Sequence, residues 1–297
     1  MSGNPRAATP ADATLADATL ADAVAVWEPM SGAQAQEYQR LRAHLSELRM
    51  SAAAESLTAV LDAARDEDLS PVTVLERLLG IEVAAAQTRR HAGLLRFASL
   101  PAPYRIEDFD FAAQPGVEQK LIHELASLRF LDDAGNVLLV GQPGTGKTMI
   151  AIGLARAALE AGYRVYFTTA ADLAKRCKRA ALEGRWATAM RFFCGPRLLV
   201  IDEFAYARHN PDPEANTALF EVISRRYLKS STILTSHAGV ASWGERLADP
   251  MLAASLLDRL LHRGIVVAID GPSYRMRAHQ QRTEQLRKAI SAAGGTT

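Results

Sequence analysis

The sequence predicts an α/β fold, in which a small all-helical N-terminal domain precedes a parallel β-sheet covered by helices on both faces. In the second part of the chain short β-rich runs alternate with helical stretches, which is typical of a parallel sheet wound with helices. In the first part leucines recur at helical spacing, and the segment Leu100-Pro101-Ala102-Pro103 separates the two parts. The five predicted strands are NVLLV (136–140), YRVYFT (163–168), RLLVI (197–201), STILT (231–235) and IVVAI (265–269).

We expect four segments along the 297-residue chain. Residues 1–33 are dominated by Ala, Asp, Thr and Pro and repeat the sequence TLADA, so we expect a disordered tail that is too poor in large apolar residues to pack. A helical domain over 34–100, an α/β domain over 101–277 and a basic C-terminal tail over 278–297 follow. Hydrophobic residues make up 48% of the chain, which is enough for a sizeable core.

Three groups of apolar residues predict the helices of the N-terminal domain, because each group recurs at the spacing of one helix face. The dipeptide Ser70-Pro71 is a start signal for the third helix. The groups are Leu41, Leu45 and Leu48; Leu57, Val60, Leu61 and Ala64; and Val74, Leu75, Leu78 and Leu79.

Cysteine content and hydropathy exclude several classes of protein. The two cysteines, Cys177 and Cys194, form no CxxC motif or Cys/His cluster, so neither a disulfide framework nor a structural zinc site is predicted. No apolar run approaches the roughly 18 to 20 residues that span a bilayer, and we therefore expect a cytoplasmic protein without a membrane partner. The formal net charge of +1 neither favours nor excludes nucleic acid.

A phosphate-binding loop follows the first predicted strand and opens a predicted helix. Its sequence, GQPGTGKT at 141–148, fits the pattern G-x-x-x-x-G-K-[ST]. Glycines in this motif let backbone N–H groups wrap the phosphates, Lys147 neutralises the β and γ oxygens, and Thr148 ligates magnesium. The residues expected to bind the nucleotide are Gly141, Gln142, Pro143, Gly144, Thr145, Gly146, Lys147, Thr148 and Met149.

Two acids at the end of the third predicted strand favour hydrolysis over transfer of the phosphate. The run RLLVI ends in Asp202-Glu203. Asp202 is expected to hold magnesium through water, and Glu203 to orient and polarise a water for attack on the γ-phosphate. We therefore predict an ATPase that uses ATP and Mg²⁺, with Lys147, Asp202 and Glu203 as catalytic residues. A P-loop kinase would need an acceptor pocket and a lid that we do not find in the sequence.

A histidine follows the fourth predicted strand, which leads into Ser236-His237. Many ATPases of this type place a polar residue here to sense the γ-phosphate, and His237 is the candidate. The alternative is that His237 is an exposed loop residue with no catalytic part.

Six segments taken in order characterise one branch of the P-loop proteins. They are VLLVGQPGTGKT, YFTTAADL, LLVIDEFAY, TSHAGVASWGE, DPMLAASLLDRLLHR and GPSYRMR. Together they resemble the IstB family of transposition helper ATPases, close relatives of the helicase loader DnaC, over about residues 40 to 277. The resemblance implies an AAA+ core with a parallel five-stranded sheet, a helical N-terminal domain, and a homo-oligomer on DNA that cooperates with a partner transposase.

The resemblance also assigns roles to two arginines. Arg259 matches the arginine that reaches into a neighbouring subunit's nucleotide site, although nearby Arg263 is an alternative and Arg259 could be a surface residue. Arg275 matches the family's second sensor of the γ-phosphate, with solvent-facing basic residues as the alternative; Arg277 lies two residues further on. The family pattern has Asn where His237 stands, so hydrolysis could be slower or pH-dependent. Few residues follow the last strand, which is consistent with an absent or minimal C-terminal lid.

The most basic stretch of the chain lies between the second and third predicted strands. If 171–182 is helical, one side carries basic residues, and Leu173, Cys177 and Ala181 lie on the opposite, packed side. The candidate DNA contacts are Lys175, Lys178, Arg179 and Arg185. Such contacts would be sequence-independent and salt-sensitive, whereas the alternative is a solvated helix face.

The leading hypothesis is a transposition helper in which ATP drives oligomerisation on duplex DNA and hydrolysis dissolves the complex. It would select or remodel target DNA and recruit or stimulate a transposase. A DnaC-like replicative helicase loader is an alternative with the same nucleotide chemistry. An ATP-switched scaffold with negligible hydrolysis is a second alternative, motivated by His237 and the minimal C-terminus.

Overall fold

The computed structural model describes residues 32–204, 213–276 and 282–284. The chain divides into two compact units, one ending at Ala86 and the other beginning at Gln87. This division falls within a helix and not in the proline-rich segment at 100–103. Most of the two predicted tails, together with Arg277, lies outside the described residues.

Three helices account for the described N-terminal residues: α1 (Gly32–Glu47), α2 (Ser51–Asp66) and α3 (Pro71–Ala98), of which the first part of α3 belongs to this unit. Their core contains Leu45, Leu57 and Leu78. In contrast, Leu48, Leu75 and Leu79 are exposed, so helical spacing predicted the helices but only part of the buried face. Glu82 is buried beside α2, where its Oε2 accepts the backbone N–H of Ala53 at 3.1 Å.

In the described residues of the second unit five strands form one sheet, and every neighbouring pair is parallel in the order β2-β3-β4-β1-β5. The strands are β1 (Asn136–Gly141), β2 (Val165–Thr169), β3 (Leu198–Phe204), β4 (Ser231–Ser236) and β5 (Gly264–Ile269). Each lies within about three residues of its predicted run. The prediction of a parallel five-stranded sheet is confirmed.

Helices cover both faces of this sheet. They are α4 (Gln119–Ala126), α5 (Arg129–Asp132), α6 (Lys147–Glu160), α7 (Ala170–Leu182), α8 (Trp186–Cys194), α9 (Pro213–Arg226), α10 (Trp243–Leu247) and α11 (Pro250–Leu261), with a 3₁₀ turn at Val240–Ser242. Alternate residues of β1 enter two different cores: Val137 and Leu139 pack with α4 and α6, whereas Leu138 and Val140 pack with α7 to α11. A strand buried on both faces explains its continuous apolar run.

Arg226 at the end of α9 is a buried cation that braces the sheet. Its guanidinium is 1% exposed and donates to the carbonyl oxygens of Phe193 at 2.9 Å and Pro196 at 3.0 Å. It also donates to the Thr232 hydroxyl at 3.2 Å and to the Ser231 carbonyl. Burial lowers the pKa of Arg226 to about 10. One side chain thus satisfies polar groups of the α8–β3 connection and of β4 at once.

The described residues beyond β5, 270–276 and 282–284, form no multi-helix lid. Within the described ranges, no helix has both the length and the apolar character that crossing a membrane requires. The cytoplasmic localisation stays a prediction.

Candidate functional site

The phosphate-binding loop connects the carboxyl end of β1 to the N-terminus of α6. Gly144 and Gly146 adopt φ values of +83° and +95°, which side-chain-bearing residues rarely adopt. A Cβ at Gly144 would lie 2.1 Å from Ser273 Oγ, and a Cβ at Gly146 would lie 2.5 Å from the Phe109 ring. The loop is therefore enclosed by residues from before β1 and after β5, and its glycines make that close approach possible.

Lys147 begins α6 and is 3% exposed. Its Nζ donates to the carbonyl oxygens of Gly141 at 2.8 Å and Gln142 at 2.7 Å. Burial lowers its pKa to about 8; the charge of Arg275 adds to the lowering and that of Asp202 opposes it. The ammonium is thus held inside the loop, next to the positive end of the α6 dipole.

The two acids at the end of β3 have different environments. Asp202 is 7% exposed and accepts the Thr148 hydroxyl at 2.9 Å on Oδ1 and 3.2 Å on Oδ2. Glu203 is exposed, and its φ of +58° is unusual for a residue with a side chain. The backbone thus turns one acid toward the loop and the other toward solvent.

The oxygen atoms of Thr148 and Asp202 fit a magnesium ion. Mg²⁺ prefers hard oxygen ligands and usually takes only one or two from the protein, the others coming from phosphates and water. A hydroxyl and a carboxylate already in contact supply this set. Among the residues that the structure describes, no group of three or more His, Cys, Asp or Glu could hold a metal ion.

A cavity of about 350 Å³ opens beside the loop. It is lined by Gly144, Thr145, Gly146, Lys147, Thr148, Met149, His237 and Arg275, together with Tyr104, Asp108, Phe109, Asp110, Gln114 and Tyr274. The fold therefore brings His237 and Arg275 to the loop; their role as sensors stays a prediction. The N–H of Tyr274 donates to the Gly144 carbonyl at 2.9 Å, which ties the Arg275 segment to the loop.

Sequence reasoning missed the wall of this cavity that precedes β1. Tyr104 and Phe109 offer flat apolar surface, and Gln114 Nε2 donates to the Pro272 carbonyl at 2.7 Å. These residues form no motif of fixed spacing. The run IEDFDF at 106–111, which puts two phenylalanines among acids, was the available signal.

The imidazole of His237 has a pKa below its ordinary value. Burial is the main cause, and the charges of Lys147 and Arg275 act in the same direction. Glu203 and Asp202 oppose the lowering. The lowered pKa favours the neutral imidazole, in which one ring nitrogen donates a hydrogen bond and the other accepts one.

Arg259 and Arg263 are the two candidates for the arginine that reaches a neighbouring subunit's nucleotide site. Neither is among the described residues that line this cavity. Arg259 in α11 donates to the Ser255 carbonyl at 2.8 Å and lies 5.0 Å from the centre of the Phe220 ring. Arg263 donates to the Asp133 carbonyl at 2.9 Å. A role at another subunit's nucleotide remains a prediction for both.

The predicted basic side of α7 is exposed at Lys175, Lys178 and Arg179, while Leu173 and Cys177 are buried. Ala181 is exposed, so the packed side ends earlier than predicted: no residue in the last turn of α7, 179–182, is buried. Lys178 forms an ion pair with Glu214 at 2.8 Å.

Between α7 and α8 lies a groove of about 310 Å³. Arg179 and Arg185 line it together with Arg176, which had not been predicted as a contact. The Arg176 guanidinium lies 4.2 Å from the centre of the Phe192 ring, and Arg185 pairs with Glu183. Two of the four predicted DNA contacts thus share one groove, whereas Lys178 is turned toward α9.

Comparison with known proteins assigns the family. The family model described as "IstB-like ATP binding protein" matches residues 43–282. The chain is 38% identical over 247 residues to an insertion sequence IS5376 putative ATP-binding protein of Geobacillus stearothermophilus, covering 83% of this chain and 98% of that one. It is 37% identical over 233 residues to an insertion sequence IS21 putative ATP-binding protein of Pseudomonas aeruginosa, covering 78% and 87%.

Solved structures of lower similarity include the DnaC helicase loader, with 22% identity and a TM-score of 0.43 over 51% of this chain and 87% of that one. Another is AMPPCP-bound DnaA from Aquifex aeolicus, with 18% identity and a TM-score of 0.49 over 63% and 56%. The family predicted from the sequence is confirmed by the matched model and the close relatives. The chain belongs to the family of IstB-like ATP-binding proteins.

Proposed function

We propose that this protein is an ATP-dependent, DNA-binding transposition helper that hydrolyses ATP. The observation that carries the proposal is the contact of the Thr148 hydroxyl with Asp202 beneath a glycine loop that encloses Lys147. Family membership supports a role in transposition, because the relatives are putative ATP-binding proteins of insertion sequences. The cofactors are ATP and Mg²⁺.

The N–H groups of the loop and Lys147 bind the phosphates, and Thr148 and Asp202 hold Mg²⁺, which neutralises charge on the phosphate oxygens when bound. Glu203 accepts a proton from a water whose oxygen bonds to the γ-phosphorus. The bond from that phosphorus to the β–γ bridging oxygen breaks in the same step. Arg275 and His237 stabilise the γ-phosphate from within the subunit.

Oligomerisation completes the site in this proposal. Arg259, or Arg263 in its place, reaches the nucleotide of a neighbouring subunit and stabilises the charge that develops on the transferred phosphoryl group. The α7–α8 groove, with Arg176, Arg179 and Arg185, supplies the charge that holds duplex DNA by its phosphates, so sequence preference is small. The assembly selects or remodels target DNA and recruits or stimulates a transposase, and hydrolysis takes it apart.

Phosphate release measured with and without duplex DNA tests the proposal. We expect DNA to raise the rate at saturating ATP, and Glu203→Gln to abolish the increase while leaving nucleotide binding intact. Equal rates with and without DNA would contradict the proposal.

His237 favours a second candidate, an ATP-switched scaffold with negligible turnover, because the family pattern has Asn at this position. If wild type and Glu203→Gln release equally little phosphate in the presence of DNA, the scaffold is the better account. A DnaC-like helicase loader would hydrolyse ATP as proposed but capture a replicative helicase and no transposase in a pull-down.

A further inference from the structure

We propose that Thr235 is a positioning residue that fixes both Asp202 and Glu203 for hydrolysis. This inference rests on the proposed ATPase function and adds to it a residue on a different strand from the acids. Thr235 belongs to β4, is 1% exposed, and is not part of the loop or of the two predicted sensors.

The pairing of β3 with β4 contains an irregularity at the acids. Ile201 pairs with Leu234, and the next pair is Phe204 with Ser236. Two residues of β3, Asp202 and Glu203, therefore lie opposite the single residue Thr235. Such a bulge re-aims side chains and is often found beside active sites. Its second residue, Glu203, has the left-handed φ of +58°.

The Thr235 hydroxyl bonds to both acids. It donates to Asp202 Oδ1, and it accepts the backbone N–H of Glu203 at 3.0 Å. In a regular ladder a backbone carbonyl would accept that N–H, so the hydroxyl replaces the bond that the bulge removes. The hydroxyl thus uses its single donor and one of its two acceptor lone pairs, and this pair of bonds fixes its direction.

The two bonds matter because the acids have different proposed roles: Asp202 holds the metal, and Glu203 accepts a proton from the attacking water. The Asp202 carboxylate is held from two elements, by Thr148 of α6 and by Thr235 of β4. The bond to the Glu203 N–H stabilises the backbone conformation that turns its carboxylate away from the buried side. Left-handed backbone at a residue with a Cβ is costly, so we expect Glu203 to relax when this bond is lost.

Thr235→Val tests the inference, because it keeps the branched shape and removes the hydroxyl. We expect turnover at saturating ATP to fall about 10- to 100-fold, as is typical when an orienting group is lost, with a smaller change in the KM for ATP. Thr235→Ser restores the hydroxyl and should recover most of the rate. The matched control is Thr168→Val on β2, whose hydroxyl bonds to the Thr169 carbonyl and to neither acid.

A crystal structure of Thr235→Val supplies a readout that does not depend on turnover. We expect Glu203 to leave the left-handed region and the Asp202 carboxylate to shift. Wild-type turnover in Thr235→Val, an equal loss in Thr235→Ser or Thr168→Val, or an unchanged Glu203 backbone overturns the inference. If wild type itself hydrolyses no ATP, the proposed ATPase function fails, and the crystal structure alone decides whether Thr235 positions the acids.

Discussion

Lys147 combines burial with a positive charge that the Gly141 and Gln142 carbonyl oxygens and the charge of Asp202 stabilise. Its pKa is lowered to about 8, chiefly because burial removes the ammonium from water. Triphosphate oxygens would stabilise the charged form and raise the pKa again. Nucleotide binding above pH 8 must therefore take up a proton at Lys147.

This linkage predicts the pH dependence of ATP affinity. Below the pKa of Lys147 in the nucleotide-free protein its side chain is already charged, so ATP affinity should be flat; above that pKa, affinity should fall up to about tenfold per pH unit. Calorimetry with a non-hydrolysable ATP analogue and Mg²⁺, between about pH 7 and pH 9.5, measures both affinity and proton uptake. Lys147→Arg stays charged and is the control that should lose the dependence. Constant wild-type affinity across this range would exclude the linkage.

His237 lies near the same charged groups, so its pKa should shift in a defined direction when each of them is removed. Its pKa should lie below its ordinary value in the nucleotide-free protein, because burial and the charge of Lys147 both lower it. Lys147→Ala should raise this pKa, whereas Glu203→Gln should lower it further, since Glu203 acts in the opposite direction. NMR titration of the imidazole, assigned by its loss in His237→Asn, measures all three values. An unchanged pKa in both variants would show that these charges do not reach the ring.

At the scale of elements, we expect loss of the Arg226 side chain to destabilise the sheet. Arg226→Met leaves the buried carbonyls of Phe193 and Pro196 without a donor. We expect the free energy of unfolding to fall by about 3 kcal/mol or more, since each buried unsatisfied group costs about 1 to 3 kcal/mol. The control is Arg225→Met, the exposed neighbour that pairs with Glu221, for which about 0 to 1 kcal/mol is expected. Denaturant unfolding that gives equal losses would contradict a bracing role.

The strands were predictable because parallel strands buried on both faces are continuous apolar runs, as in β1. The loop was predictable because its chemistry demands fixed residue types at fixed spacing. The bulge at Asp202 and Glu203 was not, because it depends on Thr235 of another strand. The same holds for Tyr104, Phe109 and Gln114, which reach the cavity through tertiary packing. In α3, spacing could not tell the buried Leu78 from the exposed Leu75 and Leu79, since both sides of that helix carry apolar residues.

At the scale of the whole molecule, the proposed DNA contact predicts how salt and charge act together. Arg179→Ala should weaken binding to duplexes of any sequence and reduce the slope of log affinity against log salt by about one. Arg129→Ala is the control, because it removes an exposed arginine of α5, outside the groove. Fluorescence anisotropy at several salt concentrations measures both effects. An equal change in the two variants would indicate that the DNA does not bind at the α7–α8 groove.

The proposed function depends on a nucleotide bound with its metal between the glycine loop and the acids of β3. The most direct test is the affinity for a non-hydrolysable ATP analogue, measured with and without Mg²⁺ in wild type and in Lys147→Ala. The proposed function predicts binding that Mg²⁺ strengthens and that Lys147→Ala weakens by about tenfold or more, as expected for loss of a charge-assisted contact. Affinity that ignores Mg²⁺, or that survives Lys147→Ala undiminished, would contradict it.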